Sequence, residues 1–164
     1  MTIRILISCA LITLLAACSK EPPAQVETSA DAGASVAEQT AVAVLPRTPA
    51  TDGARVFFIT PEDGATVTSP VSVDFGIEGM SVVKAGDNTP HSGHHHLLIN
   101  TDLPDASLPI PADANHVHFG DGSTSTEISL PPGEHTLQML LGDHLHIPHD
   151  PPVVSAIITI TVAE

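Results

Sequence analysis

Val71-Ser72-Val73-Asp74-Phe75-Gly76-Ile77 places an apolar residue at almost every second position. In an extended chain alternate side chains point to the same face, so this stretch predicts a strand with one buried side. Near the C-terminus, Val154, Ala156, Ile158, Ile160 and Val162 alternate with Ser155, Ile157, Thr159 and Thr161 and predict another. Outward from these two, shorter strands are expected at Arg55–Thr60, His94–Asn100, Asn115–Phe119, Thr126–Leu130 and His135–Leu141. Pro61-Glu62-Asp63-Gly64, Asp121-Gly122, Pro131-Pro132-Gly133 and the prolines from Pro148 to Pro152 are turn signals between them. No segment sustains a helical period. About seven short strands over residues 53–164 predict an all-β fold, an immunoglobulin-like antiparallel β-sandwich without the Cys and Trp hallmarks of antibody domains. A domain of this size buries about two-thirds of its unfolded surface, enough for a core of Val, Ile and Leu.

The N-terminal part has a different character. Arg4 precedes an apolar run, Ile5 to Leu15, which is shorter than the roughly twenty residues a membrane span needs and matches the length of a signal-peptide core. Leu15-Ala16-Ala17-Cys18 resembles the bacterial lipobox. That resemblance implies removal of residues 1–17 as a lipoprotein signal peptide and a diacylglycerol on Cys18. The expected partner is then a membrane, reached through a lipid anchor. Ser19 implies a place in the cell envelope, at the outer membrane, facing the periplasm or the cell surface. With Cys9 removed and Cys18 lipidated, no thiol remains for a disulfide. Residues 18–52 are dominated by Ala, Glu, Pro, Thr, Ser and Val without periodicity. Such a composition offsets little chain entropy and predicts a flexible tether, although Ala-rich Val26–Val44 would otherwise suit a short helix.

Charge narrows the partners. The formal charge of −14 is repelled by phosphate backbones, and with neither Trp nor Tyr there is little to stack on bases, so nucleic acid is excluded. Ten histidines all fall between His91 and His149. Three His-x-His pairs stand out: His94 with His96, His116 with His118, and His144 with His146. On a strand each pair presents two imidazoles to one side, and two adjacent pairs place four within cross-strand reach. That is a nitrogen-rich set suited to Zn²⁺ or Cu²⁺. The candidate metal ligands are His94, His96, His116, His118, His144, His146 and His149. Leu97 and Ile99 place His95 on the core side, as a neutral imidazole bonded to backbone. His135 shares a face with Leu137, Met139 and Leu141 and is expected to be structural. Asp143 and Asp150 are candidates to accept from imidazole N–H groups.

Gly93-His94-His95-His96-Leu97-Leu98-Ile99-Asn100, His116-Val117-His118-Phe119-Gly120, Leu130-Pro131-Pro132-Gly133-Glu134-His135-Thr136-Leu137-Gln138 and Gly142-Asp143-His144 through Pro151-Pro152 together resemble a bacterial family, domain of unknown function 4399. The resemblance covers about Val56 to Val162. It implies a secreted β domain and no particular activity. The family reads Gly-Gln-Thr-Glu after His-Phe-Gly where this chain has Gly122-Ser123-Thr124-Ser125, so any contribution of that Gln or Glu is missing here.

Three function classes follow. The leading one is a non-enzymatic envelope domain that binds a divalent transition metal. The second is an interaction module with structural histidines, its protein partner unspecified. The third is a zinc or copper enzyme, since Asn115 to Gly120 superficially resembles the zinc strand of α-type carbonic anhydrases. A dismutase would need a cationic guide, yet beyond residue 52 only Arg55 and Lys84 are cationic. No Gly-x-Ser-x-Gly elbow, phosphate loop or Cys nucleophile is present. Protons compete with a metal for imidazole, so affinity is expected to fall between about pH 7 and pH 5 while the fold persists.

Overall fold

A computed structural model describes residues 45–164. Cys18, the signal segment and most of the expected tether lie outside them. The described residues form nine strands and no helix, so none of them makes a helix able to cross a membrane. In chain order the strands are β1 (Arg55–Thr60), β2 (Thr66–Val67), β3 (Val71–Glu78), β4 (Ser81–Val82), β5 (Ser92–Ile99), β6 (His116–His118), β7 (Ser125–Ile128), β8 (Gly133–Gly142) and β9 (Ile158–Val162). One sheet has the order β1-β3-β7. The other runs β2-β9-β8-β5-β4, with β6 also on β5. The alternation of β3 buries Val71, Val73 and Phe75, which pack against Leu97, Leu137, Met139, Leu141 and Ile160 of the larger sheet. The protein is an all-β sandwich.

Two pairings depart from the expected antiparallel pattern: β2 runs parallel to β9, and β4 runs parallel to β5. Both are two-residue strands on connections, β2 between β1 and β3 of the smaller sheet and β4 between β3 and β5, so no hairpin fixes their direction. The long C-terminal strand is also shorter than its alternation suggested. Val153 and Ser155 are buried whereas Ala156 and Ile157 are exposed, so the phase slips by one residue before Ile158. Ser155 causes the break, because its Oγ accepts from Met139 N at 2.9 Å and donates to Ala156 O at 2.6 Å. Hydroxyl bonds of this kind offer the backbone an alternative to the ladder.

Strand β5 positions the site. All eight of its residues are buried, the pattern of a central strand covered on both sides. His95, Leu97 and Ile99 face the inter-sheet core. On the opposite side Leu98 meets Leu140 and Ile110, the latter from the connection between β5 and β6. The expected tether is also shorter than its composition implied. Residues 47–51 are bonded to the loop after β8: Ala50 N donates to Asp150 O and Asp150 N to Thr48 O, both at 2.9 Å.

Candidate metal centre

The antiparallel pairing of β5 with β6 sets His96 opposite His118, and β8 pairs with the other edge of β5, with His94 opposite Gly142. His94 and His96 occupy the same face of β5 and lean together, with their Nε2 atoms 3.1 Å apart. His118 comes across from β6, so that one nitrogen from each of His94, His96 and His118 lies within 4.8 Å of the others. A fourth ring arrives from the loop after β8: His146 Nε2 is 3.2 Å from His118 Nε2. The His146 ring centroid lies 4.7 Å from that of His94 and 6.0 Å from that of His96. Three imidazole nitrogens therefore converge, and the His146 ring adjoins them on the side of His118 and His94. His94 and His96 are fully buried, His118 is exposed and His146 is half-buried.

The geometry suits a cation. Tetrahedral zinc with Zn–N bonds of about 2.0–2.1 Å has ligand nitrogens about 3.3 Å apart, and the two facing Nε2 pairs stand at 3.1 and 3.2 Å. Nitrogen facing nitrogen is favourable only with a proton or a cation between them, since two bare lone pairs repel. A neutral ring supplies that proton from its own N–H, so each facing pair fits a ring-to-ring hydrogen bond as well as a cation; burial disfavours only the charged imidazolium. It lowers His94 to about 4, helped by the charges of His146 and His118 and opposed by Asp143. Burial lowers His96 further, to about 2, with His94 and His118 adding to the effect. The His118 ring is also lowered, by the partial desolvation of its inner edge and then by His146, against Asp121. These three rings are neutral near pH 7, the state a metal ligand requires.

Two glycines make room for the rings. A Cβ on Gly142 would stand 2.9 Å from His96 Nε2, and a Cβ on Gly120 would stand 2.4 Å from His118 Cε1 and 3.0 Å from its Nε2. His96 is walled in and cannot retreat, so Gly142→Ala is expected to weaken Zn²⁺ binding about tenfold by displacing one nitrogen. Competition against a chromophoric chelator would measure it, and unchanged affinity would show that the nitrogen has no fixed place.

The other candidates fall elsewhere. His116 shares the face of His118 but sits opposite Leu98, one step beyond the cluster, and its Nδ1 faces Asp113 Oδ1 at 2.8 Å. His149 is buried with its nitrogens near Leu141 O and Ser92 O. The half-buried His144 is not in the group of convergent nitrogens. Its partner His146 has a φ of +64°, so that segment is a tight turn and the same-face rule for strands does not apply.

Three expectations about second partners need correction. His95 is on the core side, but neither nitrogen has a hydrogen-bond partner. Its own carbonyl takes Phe119 N, and its ring meets the Phe75 ring at 4.8 Å between the sheets. Asp143 accepts from Thr48 Oγ1 and from the backbone of Leu145 and Ile147, not from an imidazole. Asp150 takes Arg47 Nη1 at 3.0 Å. The carboxylate that does hold an imidazole, Asp113, had a readable signal: an Asp two residues before Asn115 and three before His116 suits an Asx turn. His135 is structural, with Asn100 Nδ2 and Pro131 O each 2.9 Å from its two nitrogens.

No curated protein and no solved structure matches the chain. The family model that does match covers residues 73–163, from the first long strand through the His cluster to the last strand, so over more than half its length this chain belongs to DUF4399, a domain of unknown function.

Proposed function

We propose that this chain binds one divalent transition-metal ion, Zn²⁺ or Cu²⁺, through His94, His96, His118 and His146, and does so without catalysis. The observation that carries the reading is the convergence of one nitrogen each from His94, His96 and His118 within 4.8 Å, with His146 Nε2 3.2 Å from His118 Nε2 as the fourth candidate. Imidazole suits both metals. Four protein nitrogens fill a tetrahedron, whereas a catalytic metal keeps a position open. The demetallated full chain, titrated with Zn²⁺ and Cu²⁺ near neutral pH, is expected to bind one equivalent. His118→Ala is expected to weaken that binding by more than about tenfold, with His91→Ala leaving it unchanged. Absence of binding at micromolar metal would overturn the reading, and hydratase or dismutase turnover by the loaded protein would overturn its non-catalytic part.

We also propose that the domain is carried at the cell envelope as a lipoprotein, on the resemblance of Leu15 to Cys18 to a lipobox. Mass spectrometry of the mature protein is expected to find Cys18 as an acylated N-terminus, and Cys18→Ser to prevent acylation. An unmodified Cys18 in the wild type would refute it.

A further inference from the structure

Three of the four rings stand on strands, or on a strand pair, whose ladders fix them. His146 does not. It sits near the tip of the turn Asp143–Ile147, closed by Asp143 N donating to Ile147 O and His146 N donating to Asp143 O, both at 2.9 Å. Its φ of +64° is left-handed, a conformation that side chains other than glycine rarely adopt. Something must hold it there.

The holding group is a buried carboxylate. Asp143 is 1% exposed. Its Oδ1 accepts from Leu145 N at 2.8 Å and Ile147 N at 2.9 Å, bonds that shape the turn from inside. Its Oδ2 accepts from a residue 95 positions earlier, Thr48, whose Oγ1 lies 2.7 Å away. Burial alone would push the Asp143 carboxyl up, but these donors outweigh burial and hold it below the usual carboxylate range. Arg47 grips the residues that follow: its Nε donates to Pro148 O at 3.1 Å, its Nη1 to Asp150 Oδ1 at 3.0 Å and its Nη2 to His149 O. A buried carboxylate that loses one of its donors carries a desolvation cost, and the turn built on it loses its template.

We propose that Asp143, latched by Thr48, is the positioning residue that holds His146 against the metal, so that residues 47–51 set the affinity of a site to which they supply no ligand. This rests on the metal-binding reading above. The stretch just before β1 thereby acquires a role, because the segment that joins the sandwich to whatever precedes it is a strap across the fourth ligand. Displacing the strap releases His146 and leaves the His94, His96 and His118 triad.

The experiment uses the full chain in wild-type, Thr48→Val, Thr48→Ser and His146→Ala forms, together with the Thr48→Val and His146→Ala double variant. Zn²⁺ affinity is read by chelator competition, and the number of nitrogens on bound Cu²⁺ by electron paramagnetic resonance. Thr48→Val is expected to lower affinity about tenfold and to change the Cu²⁺ signal from four nitrogens to three. Thr48→Ser, which keeps the donor, is expected to restore both. In the His146→Ala background Thr48→Val is expected to have no further effect. If the wild type binds metal and Thr48→Val leaves affinity and nitrogen count unchanged, the strap proposal falls and the metal reading stands. The same holds if Thr48→Val costs as much without His146 as with it. A wild type that takes no metal overturns both.

Discussion

Replacing His94 and His96 together by Ala is expected to lower Zn²⁺ or Cu²⁺ affinity by about a thousandfold or more. Partners that merely orient a ligand are worth about 10–100-fold each, and here two ligands disappear at once. They are also the two buried ones, which give the site its shape, with nitrogens 3.1 Å apart on a single strand. The effect has a thermal counterpart. A ligand at a hundred times its Kd stabilises the folded state by about 2.7 kcal/mol, so saturating metal raises the Tm of the wild type and leaves that of the double variant unmoved. His91→Ala is the contrast: His91 Nδ1 lies 3.0 Å from Thr51 Oγ1, and the residue is exposed and outside the cluster. Equal losses from the two changes would mean adventitious surface coordination and would end the assignment.

Mild acid is expected to unfold the metal-free chain. Burial lowers His95 to about 4 from the ordinary 6.5, and burial with neighbouring imidazoles does the same to His94. Between those values the unfolded chain takes up protons that the folded chain refuses. Stability is therefore complete above about pH 6.5 and falls as the pH drops towards 4, by about 1.4 kcal/mol per pH unit for each such group. A domain of this size has only about 5–15 kcal/mol to lose. Circular dichroism of the metal-free protein is expected to show β structure lost with a midpoint above pH 4, and saturating Zn²⁺ to move the midpoint lower. The expectation that the fold persists to about pH 5 is tested by the same titration, since the buried His94, His95 and His96 set how far below pH 6.5 the fold holds. His95→Leu removes one proton-linked group and two orphaned nitrogens from the core. That variant is expected to unfold at lower pH and over a shallower range, and a midpoint identical to wild type would show that His95 does not drive the transition.

Much of this architecture was legible because it rests on period two. Val71 to Ile77 reads as a half-buried strand and is one, and Leu97 and Ile99 correctly turn His94 and His96 away from the sandwich interior. The same rule predicts that His118 follows His116 onto one face, which holds. What it cannot give is distance along the partner strand, and a register two residues away places His116 beside Leu98 instead of His96. Nor does it see that the outer face of β5 is covered. Cover over Leu98 comes from Ile110, on an irregular segment rich in proline and aspartate whose composition reads as solvated loop. Thr48 and Asp143 are 95 residues apart, and nothing local in either neighbourhood announces the other.

The run His94-His95-His96-Leu97-Leu98-Ile99 has a consequence for how the chain finds its alignment. Strands ordinarily choose a face by polarity, but this one offers imidazoles on both sides and then aliphatics on both sides, so its own composition barely distinguishes inward from outward. The choice is left to its neighbours. Gly93 fits where a Cβ would strike Gly142 O at 2.6 Å, and Gly142 fits beneath the His96 ring. A slip of one residue would drive a side chain into the first position and send two imidazoles, not one, against Phe75. An ion bound as proposed would favour this one alignment over competitors of similar hydrophobicity, because only here do His94, His96 and His118 bring their nitrogens within 4.8 Å of one another.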